Sequence, residues 1–152
     1  MALSVKLMLD SYVLDEQELN VEIPDPIKDK TISLRKNAVT TISASADDAS
    51  LTVGDLLQLA NINGNNVFEA AAADENTVLG VVVKYEVMNP EVLVDRIDTG
   101  ADFATTGTIT VKGNADSEFV GEKTVKVKVT VSYDYGTARV HNLDIKVKQK
   151  AN

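Results

Sequence analysis

Residues 125–133 carry an apolar side chain at every second position, and this run constrains the fold more than any other part of the chain. The apolar set is Val125, Val127, Val129, Val131 and Tyr133. Alternation with period two is typical of an antiparallel strand that has one buried face and one solvated face. A slip of one residue would turn Lys126 and Lys128 inward, so the pattern also specifies the register of the strand.

Turns are predicted on both sides of this strand. Small and polar residues at 113–117 form the first turn, after which we expect Phe119 to point inward and Gly121 to supply a bend or bulge. The segment 134–137 forms the second turn, in which Gly136 is free to adopt a positive φ.

The strand that returns from the second turn carries two apolar sets that are out of phase by one residue. The sets are Ala138 with Val140, and Leu143 with Ile145 and Val147. A β-bulge inserts one extra residue into a strand, and thereby changes which face the following side chains occupy. We therefore predict a β-bulge at His141 and Asn142.

Strand patterns dominate the remaining sequence. Predicted strands are Val5 to Leu9, Leu19 to Ile23, Ile32 to Leu34, Val39 to Ile42, Glu91 to Ile97 and Thr108 to Lys112. The segment Thr77 to Met88 is almost continuously apolar, which favours a central strand covered on both faces for part of its length. The alanine-rich segment 67–73 fits a strand or a helix, and TGADFATTG at 99–107 is predicted to be a loop.

One helix is predicted, at 52–62. Thr52 and Asp55 have the spacing of a capping box, and the Asn- and Gly-rich segment 61–66 would end the helix. Its apolar face would comprise Leu56, Leu57, Leu59 and Ala60. Eight or nine strands with one short α-helix in a connection predict a mainly all-β fold, an antiparallel β-sandwich.

The length and composition favour a single compact unit. A chain of 152 residues can bury a core of its own, and we divide it into an N-terminal strand pair or arm at 1–29 and a sandwich domain at 30–152. Cysteine is absent, which excludes disulfides and thiolate metal sites. The N-terminal segment lacks the features of a signal peptide, and no apolar run approaches the roughly 18 residues of a membrane span.

The net charge of −8 is unevenly distributed. Residues 1–120 contain 20 acids and 8 bases, and residues 121–152 contain 3 acids and 7 bases, so the two parts carry −12 and +4. The acidic part argues against nucleic acid as a partner, because phosphate binding needs clustered Lys and Arg. The lysines near the C-terminus either protect a sheet edge or dock an acidic neighbour. They are Lys123, Lys126, Lys128, Lys146, Lys148 and Lys150.

No catalytic constellation is apparent. His141 is the single histidine, with Asp144 close in sequence, and no Gly-x-Ser-x-Gly motif accompanies it. Loop acids offer oxygen ligands for Ca²⁺, although solvated acids are the alternative interpretation. These acids are Asp95, Asp98 and Asp102, and Asp116 with Glu118. The absence of Trp argues against a glycoside hydrolase, and we expect no enzyme activity, no cofactor and no metal.

The segment from Ile109 to Val131 resembles the end of bacterial immunoglobulin-like domains. The matching residues are Gly113, Asn114, Phe119, Gly121 and the valines from Val125 onward. A three-residue insertion after Asn114 and the helix at 52–62 depart from that pattern. Such domains recur in bacterial surface proteins and in accessory proteins of tailed phages. The resemblance implies an Ig-like antiparallel β-sandwich and brings no catalytic residue.

We therefore expect a non-enzymatic viral structural protein, such as a capsid decoration or other head/tail accessory protein of a tailed bacteriophage. It would be made in the host cytoplasm and reside in the virion, with capsid or tail proteins and further copies of itself as partners, and without nucleic acid or membrane contacts. Candidate docking residues are Lys126, Lys128, Lys146, Lys148, Val5, Leu7 and Leu9.

The alternative is a domain of a bacterial cell-surface adhesin or a carbohydrate-binding module. A surface fragment should come from a longer gene with a signal peptide and tandem repeats. A virion accessory should be a whole short gene that begins at Met1.

Overall fold

The computed structural model describes residues 2–21, 24–59, 65–69 and 72–152. The fold is mainly β: of the described residues, 49% lie in strands and 13% in helices, with 3₁₀ turns included. The strands are β1 (Ala2–Leu9), β2 (Tyr12–Asn20), β3 (Ser33–Leu34), β4 (Thr41–Ser43), β5 (Ala49–Thr52), β6 (Leu57–Gln58), β7 (Val81–Val87), β8 (Ile97–Asp98), β9 (Thr108–Val111), β10 (Phe119–Tyr133) and β11 (Arg139–Lys150). Two short helices, α1 (Ala73–Val78) and α2 (Phe103–Thr106), lie in connections.

The strands form sheets of different sizes around one core. A four-stranded sheet has the order β4-β11-β10-β7, and a three-stranded sheet has the order β5-β9-β8. Within the four-stranded sheet β4 pairs parallel with β11, whereas the other pairs are antiparallel. β3 pairs with β6, and β1 pairs with β2. Buried residues of the four-stranded and three-stranded sheets belong to a single hydrophobic cluster.

The predicted alternation in β10 is confirmed. All four valines of the run are fully buried, and on the paired strand β11 Leu143 lies opposite Val127 and Ile145 lies opposite Val125. Lys126 is exposed on the other face. The C-terminal hairpin, defined as β10 with β11, therefore presents one continuous apolar face to the core.

The predicted bend at Gly121 is confirmed, but the orientation of Phe119 is wrong. The pairing of β10 with β11 shifts between Phe119 and Glu122, and Gly121 has a φ of +131°. Phe119 is 45% exposed, and the Lys150 Nζ atom lies 4.5 Å from its ring centroid. The bulge separates Phe119 from the inward alternation that begins later in the strand, and the ring packs against a cation instead of the core.

The bulge predicted at His141 and Asn142 is absent, because β11 keeps a continuous register there opposite Val129 and Lys128. The phase conflict is resolved by exposing Val140. On the opposite side of the strand, the half-buried Arg139 donates a hydrogen bond from Nε to the Ile27 carbonyl at 3.3 Å. Long polar side chains can cover the end of an apolar face while their polar ends find partners, so no extra residue is needed.

The helix predicted at 52–62 is wrong over its described part. The chain instead forms the end of β5, a 3₁₀ turn at Val53–Leu56 and the short strand β6, while residues 60–64 lie outside the described residues. Thr52 makes no capping bond, and its Oγ1 lies 3.1 Å from Oγ1 of Thr108. Arg35 donates to the carbonyl oxygens of Leu56 and Leu57, both at 2.7 Å. Tertiary partners thus use the carbonyls that a helix would need for itself.

The segment Thr77 to Met88 is not a central strand. Its first residues belong to α1, Gly80 turns the chain with a φ of +75°, and β7 is an edge strand of the four-stranded sheet. Val82 is 43% exposed as a result. A run of apolar residues does not determine which strands will pair with it. Only one face and one edge of β7 are covered.

Several smaller predictions are also corrected. Most of the segment predicted as a strand at Glu91 to Ile97 is irregular, with a 3₁₀ turn at Pro90–Val92. The segment predicted as a loop at 99–107 contains α2. Gly136 does not have a positive φ, but a Cβ there would overlap the Asp25 carboxylate, so the glycine permits a close approach.

Strands are found where the remaining patterns predicted them, with different bounds. They are β3, β4 and β9 within residues 30–152, which are called the body from here on, and β1 and β2 near the N-terminus. β2 extends from Tyr12 to Asn20, so it shares only Leu19 and Asn20 with the strand predicted at Leu19 to Ile23; Val21 is not in a strand, and residues 22–23 lie outside the described residues. The ambiguous segment 67–73 forms a turn at 67–69 and enters α1 at Ala73, while residues 70–71 are outside the described residues.

Candidate assembly surfaces

The N-terminal hairpin, defined as β1 with β2, is exposed at every residue of both strands. Its strands pair antiparallel through a turn at Asp10 and Ser11, and Asp10 has a positive φ of 52°. The register shifts between Leu7 and Met8. A two-stranded hairpin is at best marginally stable alone in water. Contact with a surface that covers it would therefore stabilise the N-terminal hairpin.

The register of the N-terminal hairpin gathers an apolar set on one face and leaves the other face mainly polar, apart from the exposed pair Met8 and Val13 near the turn. Leu3 lies opposite Leu19, and Leu9 lies opposite Tyr12. The apolar face comprises Leu3, Val5, Leu7, Leu9, Tyr12 and Leu19, all between 44% and 73% exposed. Contiguous exposed apolar surface of this kind is typical of an interaction site.

The polar face of the hairpin is acidic and internally bonded. Ser4 Oγ donates to Glu16 Oε1 at 2.7 Å, and Lys6 Nζ lies 3.9 Å from the same oxygen. Asp15, opposite Leu7, is the one acidic group within the apolar face. Residues 2–21 contain one lysine and four acids, which gives the hairpin a net charge of −3.

The four lysines predicted to dock a partner share one surface. Lys126, Lys128, Lys146 and Lys148 all project from the outer side of the four-stranded sheet, opposite the buried valines. Lys84 on β7 lies opposite Thr130 on this same side. These five lysines form the lysine face, together with the acids Glu86, Glu122 and Asp144 on the same side.

The charges of the lysine face are interleaved. Lys146 Nζ lies 3.5 Å from Glu122 Oε1, and Lys128 Nζ lies 4.0 Å from Glu86 Oε2. Asp144 is opposite Lys126 in the register. Five lysines and three acids leave a net charge of +2, so the face is basic but less strongly than its lysine count suggests.

Two lysines of the predicted basic set lie apart from the lysine face, one on the inner side of the sheet and one beyond the bulge at Gly121. Lys123 pairs with the buried Val147 and therefore lies on the inner side of the sheet, where it is half-buried. Lys150 donates from Nζ to the Ser117 carbonyl at 2.5 Å and covers the Phe119 ring. The side chains of both lysines therefore contact neighbouring groups of the same chain.

Exposed apolar side chains flank the lysine face. Val82 lies on β7, Phe119 on β10 and Val140 on β11, and Met88 directly follows β7. Their exposures lie between 43% and 53%. A shallow depression lined by Ser43, Phe119, Gly121, Glu122 and Lys148 opens beside them. The outer side of the sheet thus combines lysine stems with apolar patches, which suits an amphipathic partner.

Sequence patterns identified part of these surfaces. The alternation of β1 indicated Val5, Leu7 and Leu9, whereas YVLDEQELN in β2 does not alternate and gave no signal for Tyr12. The apolar residues beside the lysine face were missed, because their exposure depends on strand order and on the phase of β11. Only pairing across strands brings these groups together.

The groups with shifted pKa values lie in the body. Lys112 Nζ donates to Asp48 Oδ2 at 2.7 Å, and the Gly113 N–H donates to Asp48 Oδ1 at 3.0 Å. The bond from Lys112, followed by that from Gly113, lowers the pKa of the Asp48 carboxyl, and the bond to Asp48 raises the pKa of Lys112. This exposed pair joins the start of β5 to the end of β9.

A second shifted group is Tyr85 on β7. Its ring occupies space left by glycines, since a Cβ on Gly107 would lie 2.9 Å from the ring and a Cβ on Gly54 would lie 2.6 Å from the hydroxyl. Burial, with a smaller contribution from Asp55, raises the pKa of Tyr85 to about 12. The phenol is therefore neutral at ordinary pH and acts as part of the core.

The residues considered for catalysis are not brought together. His141 lies opposite the buried Val129, whereas Asp144, three residues further along the strand, lies on the outer side. In the described part of the chain no group of three or more His, Cys, Asp and Glu side chains is placed to hold a metal ion. Neither described helix has the length and apolar character that a membrane crossing requires.

Comparison with protein-family models, with curated proteins and with solved structures finds no match for this chain.

Proposed function

We propose that this protein is a non-enzymatic structural protein that works by assembly, as a capsid decoration or other head/tail accessory protein of a tailed bacteriophage. The observation that carries the proposal is the N-terminal hairpin, whose apolar face is uncovered along its full length. Leu7 and Leu9 are 63% and 61% exposed, whereas a leucine is normally among the more buried residues. Such a face is suited to a protein partner.

The rest of the molecule supports a scaffold role. A continuous apolar core joins the two larger sheets, and Val127 and Val129 at its centre are fully buried. A β body with a separate hairpin that exposes apolar surface is suited to joining neighbouring subunits. The body would set the distance between subunits, and the hairpin would make the contact.

We further propose that the body is an Ig-like sandwich, and its strand order supports this. With the small β3–β6 pair set aside, the body strands β4, β5, β7, β8, β9, β10 and β11 correspond to A through G in chain order. The order β5-β9-β8 then matches B-E-D, and β7-β10-β11 matches C-F-G, as in Ig domains. β4 departs from that order, because it pairs with β11 and not with β5.

The experiment that tests the assembly role is mass spectrometry of purified virus particles from the source of the chain. We expect the protein in the particles, and we expect the variant Leu7→Asp to be lost from them although it folds. Asn20→Asp, which adds the same charge to the polar face of the hairpin, is the matched control and should be incorporated.

Recovery of the protein with the cell envelope and not with particles would contradict the virion proposal and favour the adhesin or carbohydrate-binding alternative. Equal incorporation of Leu7→Asp and Asn20→Asp would show that the apolar face of the hairpin is not the assembly surface.

A further inference from the structure

We propose that the partner of the N-terminal hairpin is a second copy of this chain, and that the hairpin of one copy lies across the lysine face of the next. This inference rests on the proposed assembly role of the hairpin. It assigns both halves of one contact to described surfaces of the same chain: an acidic, apolar donor and a basic, partly apolar acceptor.

Charge complementarity is the first reason. The hairpin carries −3 and the lysine face carries +2, in a molecule that is otherwise acidic. Asp15 lies on the apolar face opposite Leu7, so docking of that face brings one carboxylate directly toward the lysines. Complementary charge orients partners and speeds their encounter, even where single exposed pairs are weak.

Apolar complementarity is the second reason. Exposed Val82 and Val140 lie on the outer side of the four-stranded sheet, beside the lysines. Two further exposed apolar residues lie at strand ends, Phe119 at the start of β10 and Met88 directly after β7. Lysine stems can cover the leucines of the hairpin while an ammonium group reaches Asp15, the carboxylate within the apolar face. The acceptor can therefore bury the apolar face of the hairpin without burying an unpaired charge.

A symmetric contact between two N-terminal hairpins fits the charges less well. Such a contact would bring together two hairpins that each carry −3, with Asp15 of each copy inside the interface. Like charges placed opposite each other are unfavourable. The favoured contact therefore uses two different surfaces.

A contact between two different surfaces is head-to-tail, and it repeats. Each copy then offers one hairpin and one lysine face, so the assembly either closes into a ring or grows as a filament. A dimer with both surfaces satisfied is not the expected end state.

The test uses two full-length variants that each lose one surface. Leu7→Asp removes the donor, and the double variant Lys126→Glu with Lys148→Glu removes the acceptor. Asn20→Asp is the control for the first variant. Lys28→Glu with Lys36→Glu, the same charge change at exposed lysines outside the face, is the control for the second. Circular dichroism and thermal unfolding verify that each variant folds.

Sedimentation velocity over a concentration series provides the readout. We expect the unchanged protein and both controls to form species larger than a dimer, and each surface variant alone to associate at least about tenfold more weakly. A 1:1 mixture of the two surface variants should form a heterodimer that does not grow, because one intact hairpin meets one intact lysine face. At about 1 M salt, where the screening length is about 3 Å, association should weaken but persist.

The inference is overturned if the unchanged protein stays monomeric at the highest concentration, if the lysine variant associates like its control, or if the mixture stays monomeric. Any of these results leaves the assembly proposal intact when Leu7→Asp is still excluded from virus particles, since the partner would then be another particle protein. Conversely, absence from particles together with the expected heterodimer would overturn the virion assignment alone.

Discussion

The two hairpins at the ends of the chain share a sequence pattern but differ in burial. Val127 in the C-terminal hairpin is fully buried, whereas Leu7 in the N-terminal hairpin is 63% exposed, and both belong to apolar sets with period two. The C-terminal hairpin lies between β4 and β7 and packs on the common core. The difference shows that alternation fixes which face is apolar, but does not fix what covers that face.

The physical consequence concerns where stability comes from. Burial of one valine or leucine side chain contributes about 1.5–3 kcal/mol, and the C-terminal hairpin gains this at each inward position within the monomer. The N-terminal hairpin gains little of it until a partner covers its apolar face. Substitutions in the two hairpins should therefore affect different measurements.

The largest expected effect is that of Val127→Asp. It places an unpaired charge in the core and should lower the free energy of unfolding by more than about 3 kcal/mol, measured by chemical denaturation. Leu7→Asp and Lys126→Asp, at exposed positions, should each change it by less than about 1 kcal/mol. Equal destabilisation by Val127→Asp and Leu7→Asp would mean that the two apolar faces are equally covered, and the comparison would fail.

The second expected effect distinguishes a body tyrosine from a hairpin tyrosine at alkaline pH. Because the pKa of Tyr85 is raised to about 12, its contribution is complete below pH 10, the ordinary tyrosine value, and is lost as pH rises toward 12. The loss should reach about 2–3 kcal/mol. Tyr85→Phe should remove this loss, as measured by denaturation at a series of pH values.

Tyr12→Phe provides the matched control in the N-terminal hairpin, where the ring is 73% exposed. It should leave the alkaline loss of stability unchanged. If Tyr12→Phe removed the loss and Tyr85→Phe did not, the assignment of the buried phenol would be wrong.

The third expected effect compares two residues with positive φ. Gly121, at +131°, occupies a region that other residues rarely adopt, so Gly121→Ala should cost about 1–3 kcal/mol although nothing lies within 4 Å of the added Cβ. In the N-terminal hairpin, Asp10→Gly relieves a φ of 52° and should not destabilise the body. Thermal unfolding of the two variants measures both effects, and a neutral Gly121→Ala would argue that the bulge can relax.

The smallest expected effect concerns ion pairs in the body and in the N-terminal hairpin. Because the pKa of Asp48 is lowered from 3.8, its contribution is present above that pH and is lost as pH falls through the lower folded value. Asp48→Asn should therefore flatten the acid limb of the stability profile below about pH 4. Lys6→Met, which removes the longer 3.9 Å pair of the hairpin, should leave the profile unchanged. Identical profiles for Asp48→Asn and the unchanged protein would refute the role of the Asp48–Lys112 pair.

Predictions from sequence were accurate where one local rule acted alone. The register of β10, the bulge at Gly121 and the outward direction of Lys126 all follow from alternation or from glycine geometry, and all are found. Predictions from sequence were wrong where a local rule competed with an interaction to a residue distant in the chain. In the segment predicted as a helix at 52–62, Arg35 binds carbonyl oxygens that helical hydrogen bonds would need. In β11, the change of phase between the apolar sets is accommodated by the exposure of Val140.

The candidate assembly surfaces show the same division. The sequence indicated the apolar side of β1 and the lysines of the C-terminal hairpin. It could not indicate that Tyr12 would complete the first surface, or that Glu86 and Glu122 would reduce the charge of the second, because those groups meet only across paired strands.

The sequence by itself determined that the chain is mainly β, which residues alternate in its longest strands and how charge divides along its length. These properties depend on neighbours within a few residues, where side-chain period and backbone preference act directly. Only the tertiary structure decided that β7 is an edge strand, that Phe119 faces out and that the N-terminal hairpin is uncovered. Those outcomes depend on which strands pair over long separations and on how much apolar surface the rest of the chain can cover, and a local pattern carries neither quantity.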